Sequence, residues 1–454
     1  MINLKKYLFN NLNKVKINSK DISKGDVFIA LSGEKNHGNQ YISEAVSNGA
    51  KYIVTSKLPK NLNKNNIVIV KNTLKFLENV AKEKRQKYKG TIVGVTGSIG
   101  KTSVKENLNY FLSKYFNVSA SIKSYNNYLG VVISLLNLNL KSKFSIFEIG
   151  TNNFNEIKKL SSIVQPSQVI ITNIFPTHLE KLINTKNIAK EKSDIFNLKY
   201  NPNVKLAILS NNNVDEEYII KKAIKYKNFK VMSFGKNKTS NMQIHKIENI
   251  DNNYSKIFIR YNLRSFDFII TNSHLHKINN ILICLLFFIS NKINLNILLD
   301  SIKDIPLLEG RGLISKIKIN DKIFNLIDES YNASPQTMKV SIDYFNDINI
   351  KNNQKRIMIL GEMKELGNNS IKFHIDLLEY LSKKNFDHVI ICGDLMQIAL
   401  KKTNNTKILF MKNVELIIEY INKIICNEDI ILIKGSNSSL TNELAKKLLN
   451  YGEN

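Results

Sequence analysis

Short apolar runs separated by polar stretches of helical length recur along most of this chain. The clearest series is Thr91–Val95, Phe144–Phe147, Val169–Thr172, Leu206–Leu209 and Lys230–Phe234. Runs this short and this apolar predict strands buried on both faces, and the spacers predict helices, which together make a mostly parallel sheet. Upstream, the Gly25-Asp26 turn precedes an apolar strand at Val27–Leu31 that breaks at Ser32-Gly33. A helix at Ile42–Asn48, ended by Gly49, and a strand at Tyr52–Thr55 complete a small α/β unit. A Lys- and Glu-rich helix from Leu74 to Tyr88 links it to the next domain. Residues 240–272 alternate at a shorter period (KIFIRY, FDFIIT), predicting an antiparallel addition, and Ile281–Ile289 reads as a buried helix. After Gly310-Arg311-Gly312 the strand–helix alternation resumes, with strands at Phe324–Ile327, Arg356–Leu360, His388–Cys392 and Ile430–Ile433. The pattern therefore predicts an α/β protein of three domains, 1–88, 89–310 and 311–454. The first is small, the second is a mostly parallel sheet with helices on both faces, and the third repeats a Rossmann-like strand–helix alternation.

Length agrees, since 454 residues allow about three domains at roughly 150 residues each. Composition, 43% hydrophobic and 23% charged, is that of a globular protein. No apolar run approaches the roughly 20 residues of a membrane span. The start, MINLKKYLFNNLNK, lacks the apolar core of a signal peptide. Cys284, Cys392 and Cys426 form no disulfide or zinc pattern, so a cytoplasmic location is expected. The net charge of +28 raises the question of nucleic acid. Yet among 66 basic residues only Arg85, Arg260, Arg264, Arg311 and Arg356 are arginines, the preferred readers of bases and phosphates. The lysines are spread evenly among Asn and Ile, as in NLNKNN and NKINLN, which favours a solvated surface. No nucleic acid partner is expected, and a P-loop ATPase that binds nucleic acid stands as the alternative.

Chemistry enters with TIVGVTGSIGKTSVKENL, a glycine-rich turn between a strand and a helix. Gly97 and Gly100 allow backbone N–H groups to cradle phosphates, Lys101 adds positive charge, and Thr102 offers a hydroxyl to magnesium. The generic phosphate-loop pattern asks for glycine where Val95 stands. Glu148 ends the strand SIFEIG and His178 lies five residues past VIITN, both where a side chain can face the loop. Taken singly, Glu148 also fits a turn acid and His178 a cap or surface residue. Lys192, in AKEKSDIF, reads as one more exposed helical lysine.

The loop GVTGSIGKTS resembles that of the Mur ligase family. In the family's order follow SYNNYLGV, FEIG, TNIFPTHLE, AKEKSDIF, HLHKINN, GRG, DESYNASP and KGS, and the N-terminal GDVFIALSGEKNHGNQYISEAVSNGA resembles its UDP-sugar-binding domain. DESYNASP, SYNNYLG and KGS are most similar to the member that joins D-alanyl-D-alanine to UDP-N-acetylmuramoyl-tripeptide in peptidoglycan precursor synthesis. The resemblance implies an ATP-dependent, ADP-forming ligase, a monomer, working through an acyl phosphate with Mg2+, two ions in all. Its last domain would close over ATP and take the dipeptide. By the same resemblance Gly97, Ser98, Gly100, Lys101, Thr102 and Ser103 hold the ATP phosphates. Thr102, Glu148, His178 and Lys192, the last as a CO2-derived carbamate, bind metal. Asn280 lies near the adenine, Arg311 reaches over the phosphates, and Asp328, Tyr331 and Asn332 contact nucleotide. Lys101, Lys192, His178 and Arg311 would be catalytic, and Ser19, Asn126, Asn127 and Lys434 would meet the substrate. The chain departs from the family at Lys20 (commonly Arg), Glu329 (frequently a second Asp) and Asn437 (often Arg). Another Mur-type ligase is the nearer alternative. The diaminopimelate-adding member would carry an Asn-Pro-Arg-type motif where this chain reads GEMKELGNNS, and a folate enzyme would lack the N-terminal domain.

Overall fold

A computed structural model describes residues 2–11, 14–33, 37–57, 66–351, 353–403 and 405–452, so Glu34–Asn36 of the N-terminal segment lie outside the described residues. The fold is α/β, with three domains. The chain groups into two compact units, each discontinuous in sequence. One comprises Met1–Thr172, Lys190–Phe234 and Ile283–Ile297, the other Asn173–Ala189, Gly235–Leu282 and Leu298–Asn454.

The first unit begins with four short parallel strands in the order Val15–Lys16, Val27–Ile29, Tyr52–Thr55, Ile67–Ile69. The two outer strands, two and three residues long, are too short to leave a hydrophobic period, and the sequence reading missed them. The helix Thr73–Lys87 follows, its first turn capped by Asn72, which accepts from the Lys75 N–H. It buries Leu77, Val80, Ala81 and Lys84, one stripe at helical spacing. The buried Lys84 donates to the carbonyls of Leu8 (2.9 Å) and Leu136 (2.6 Å), pinning the N-terminal helix Ile2–Asn10 and the helix Tyr128–Leu136 to its own.

Six parallel strands form the rest of this unit's framework, in the order Lys230–Phe234, Leu206–Ser210, Gln168–Ile171, Thr91–Thr96, Phe144–Glu148, Val118–Ala120. The helix Lys101–Ser113 buries Val104, Leu108, Phe111 and Leu112. Phe111 meets Phe288 edge-on at 6.3 Å and Phe144 meets Phe287 at 5.8 Å, so the apolar helix Ile278–Ser290 is indeed a core element. From Thr91–Thr96 the chain turns toward one sheet edge, and from the adjacent Gln168–Ile171 toward the other. Such a reversal opens a crevice at the C-terminal ends of the two strands.

In the second unit, Met242–Asn249, Tyr254–Tyr261 and Arg264–Thr271 form the expected antiparallel meander, with a register shift between Ile244 and Lys246. A separate sheet has the order Leu313–Ile319, Lys322–Glu329, Ile430–Lys434, Arg356–Leu360, His388–Ile391, Ile408–Phe410, parallel except for its first pair. Along its strands residues alternate between two cores. Met358, Leu360 and Leu432 pack with Met338, Ile342, Leu377 and Leu378, whereas Ile357, Ile359 and Ile431 pack with Ile417, Ile421, Leu444 and Leu448. Among the described residues no helix is long and apolar enough to cross a membrane.

Candidate active site

The glycine-rich loop leaves the central strand Thr91–Thr96 at the crevice and feeds the helix Lys101–Ser113. At Gly97 φ is +144°, and a Cβ would stand 1.9 Å from the Thr172 hydroxyl, so no other residue fits. That hydroxyl donates to the Ile99 carbonyl at 2.5 Å and holds the loop's outer bend. Lys101 folds back over the loop, donating to the carbonyls of Gly97 (2.9 Å) and Ser98 (3.3 Å). Ser98 is buried and Ser103 half-buried, both beside Lys101 on the loop and helix start. The N–H groups of a first helical turn, with an ammonium close by, make a seat for a polyanion.

Glu148, at the end of the neighbouring strand, is 1% exposed and fully engaged. One carboxylate oxygen accepts from the Thr102 hydroxyl at 2.8 Å and the other from the Asn126 amide at 2.7 Å. Ser124 lies 3.2 Å from the same hydroxyl, and Ser121 accepts from the Glu148 N–H. The buried Lys105 ties this strand-end loop down, donating to the carbonyls of Ser121 (2.7 Å) and Lys123 (2.6 Å). Sequence reasoning passed over Lys105. Its one signal was a lysine a single helical turn beyond Thr102, on the side of the helix that carries Val104 and Leu108 inward. Asn127, placed with Asn126 by the sequence, acts differently, since its side chain accepts from the Gly130 N–H and caps the helix Tyr128–Leu136.

Lys192 overturns its reading as an exposed lysine, for it is 1% exposed at the end of the helix Thr185–Ser193. Burial, reinforced by the charge of Lys101, drives its amine well below the lysine range. Its neighbour Glu191 accepts from the backbone N–H groups of Ile157 and Asn155 at 2.8 Å, fixing this helix end against the start of Glu156–Val164. Ser19 is buried, donates to Glu44 at 2.5 Å, and accepts from the Asn48 amide through its carbonyl.

The remaining named residues belong to the second unit. His178 sits in left-handed backbone (φ +53°), and its Nδ1 pairs with the carboxylate of Glu365, which is itself left-handed (φ +62°). Glu365 was not singled out from the sequence. Asn280 lies in the first turn of Ile278–Ser290. Arg311 stacks over the Tyr331 ring, 4.2 Å from its centroid. Asp328 accepts from the backbone N–H groups of Gly310 (2.9 Å) and Ser330 (3.0 Å), one on each carboxylate oxygen. Asn332 is exposed, and its carbonyl accepts from Lys434, which is itself buried against Glu329.

Among the described residues no three His, Cys, Asp or Glu side chains converge as a metal cage. The buried hydroxyl–carboxylate pair of Thr102 and Glu148 still suits a hard cation such as magnesium, which keeps waters and substrate phosphates as its other ligands.

Three matches to the Mur ligases cover most of the chain: their family catalytic domain at 11–86, middle domain at 95–288 and glutamate ligase domain at 317–437. Over 443 residues the sequence is 34% identical to the UDP-N-acetylmuramoyl-tripeptide–D-alanyl-D-alanine ligase of Rickettsia prowazekii, covering 94% of this chain and 93% of that one. The chain belongs to the Mur ligase family. Solved Mur ligases share its fold. MurF from Acinetobacter baumannii superposes with a TM-score of 0.80 at 23% identity, covering 99% of this chain and 98% of that one. The MurF ligase of Thermotoga maritima in complex with ADP gives 0.79 at 24%, covering 98% and 99%. The order of motifs in this Mur ligase thus had its expected meaning, and the incomplete phosphate-loop pattern at Val95 is no obstacle to the fold.

Proposed function

We propose that this Mur ligase joins D-alanyl-D-alanine to UDP-N-acetylmuramoyl-tripeptide at the expense of ATP, releasing ADP and phosphate in peptidoglycan precursor synthesis. The full-length likeness to a ligase of that name carries the reading, and the loop chemistry agrees with it. A carboxylate is a poor acyl donor, so the γ-phosphoryl group of ATP is first transferred to the tripeptide's terminal carboxylate. The free amine of the dipeptide then attacks the acyl carbon, loses a proton, and displaces phosphate to leave an amide. Lys101, placed over the loop by Gly97 and Ser98, neutralises charge on the phosphoryl oxygens as they separate. The same loop, with Ser98, Gly100 and Ser103, holds the phosphates.

Thr102 and Glu148 would hold magnesium, which supplies charge neutralisation when bound. We assign His178 to a second magnesium ion. Lys192 we assign as a carbamate: its amine, driven toward the neutral form by burial, is the nucleophile that addition to CO2 requires, and the product brings anionic oxygens for metal. Asn280, Arg311, Asp328, Tyr331 and Asn332 are assigned to the nucleotide, and Ser19 and Asn126 to the peptide substrate. ATP and a nucleotide-linked acceptor are the currency of a cytoplasmic step.

The test is phosphate release on a panel of UDP-muramoyl peptides with candidate amines. Turnover only with the tripeptide plus D-alanyl-D-alanine is expected. Turnover with the dipeptide precursor and a free amino acid would reassign the enzyme to another step.

A further inference from the structure

Glu329 ends the strand Lys322–Glu329, in register beside Lys434 of the parallel strand Ile430–Lys434. Both are buried, 5% and 4% exposed. One Glu329 oxygen accepts from Lys434 at 3.1 Å and from the Ser341 hydroxyl, while the other lies 3.7 Å from the Lys277 ammonium and 3.4 Å from His276. Burial alone would raise the Glu329 carboxyl, yet Lys434, His276 and Lys277 hold it well below the carboxylate range. His276 lies against Tyr344, ring centroids 4.4 Å apart, and burial and Lys277 push it down to about 4, leaving a neutral imidazole. One carboxylate therefore faces two ammonium groups. Such a cluster is an expensive way to hold a sheet together, because apolar side chains of the same volume serve as well or better.

What carbon could not do is grip backbone. Lys277 donates to the Arg311 carbonyl at 2.6 Å, and Lys434 to the Asn332 carbonyl at 3.1 Å. At Gly312 (φ +97°) a Cβ would come within 2.5 Å of the Lys277 ammonium, so the lysine packs directly against the turn. We propose that Glu329 is a positioning residue: through Lys277 and Lys434 it fixes the two loops that carry Arg311 and Asn332, and so sets where the Arg311 guanidinium stands over Tyr331. The inference rests on the assignment of Arg311 to the nucleotide, and it gives Lys434 a place behind the site.

The decisive variants are Lys277→Met and Lys277→Gln in the full chain, since Gln keeps a donor for the Arg311 carbonyl without the charge. Binding of adenylyl imidodiphosphate by calorimetry is read beside KM and kcat. Losing one hydrogen bond to the turn predicts a roughly tenfold weaker nucleotide affinity and a matching rise in KM for ATP in Lys277→Met. The KM for the UDP-peptide stays unchanged, and Lys277→Gln recovers most of the loss. Glu329→Gln should show the same nucleotide defect, and if it does not fold the Lys277 pair still decides. A Lys277→Met protein that melts earlier but binds and uses nucleotide like wild type would overturn the positioning role. Wild type that binds the analogue without dipeptide-dependent turnover would sink only the ligase reading, and wild type that binds no nucleotide would sink both.

Discussion

At the scale of single residues, buried lysines do work that a surplus of surface lysines conceals. Lys192 is the sharpest case. Lys192→Ala should lose turnover almost entirely while keeping its melting temperature, and short carboxylic acids in the assay should restore part of it by standing in for the carbamate. Full activity without additive, or no response to any acid, would count against that role. Lys84 tests burial itself. Its amine is lowered to about 8 by burial, against 10.5 for a free lysine. Between those values the unfolded chain binds more protons than the folded one, so this group makes stability rise with pH across the window. Below pH 8 both states are charged and its contribution is flat. Relative to Lys84→Met, the wild type should gain up to about 3 kcal/mol from pH 7 to 10.5 in denaturant titrations, and equal slopes would refute the shift.

At the scale of elements, legibility followed length and period. The helix expected at Leu74–Tyr88 spans Thr73–Lys87, and the strand expected at Arg356–Leu360 matches residue for residue, because caps and apolar runs marked both. The edge strands Val15–Lys16 and Ile67–Ile69 exist through pairing with neighbours distant in sequence, which no local pattern records. The loop residues of the candidate site were readable one by one. Glu365, Lys105 and Lys277 were not, since each matters only for the group that folding sets opposite it. Adjacent asparagines separate element from site. Asn127→Ala should cost about 1 kcal/mol of stability, the worth of a helix cap, with little loss of turnover. Asn126→Ala, which strips one partner from Glu148, should lower kcat/KM with little change in melting. Identical behaviour of the two would show that the capping geometry is misassigned.

For the whole molecule, the basic residues are spread along the chain rather than gathered at the site, yet ATP and a UDP-linked peptide are both polyanions. A net charge of +28 should speed their capture, so kcat/KM is expected to fall several-fold between about 20 mM and 300 mM salt while kcat holds steady. A salt-independent kcat/KM would mean the charge is inert, and hydrolysis stimulated by DNA or RNA would revive the nucleic-acid alternative. The two compact units alternate along the chain. Each is made of three separated segments, the first unit's last being Ile283–Ile297, where Phe287 and Phe288 complete the packing around Phe144 and Phe111. A single cut therefore never yields one unit whole. A premature stop before Phe287 would strip the phosphate-loop sheet of its aromatic backing, so a fragment ending there is expected to lose the fold of the loop even though every loop residue is present.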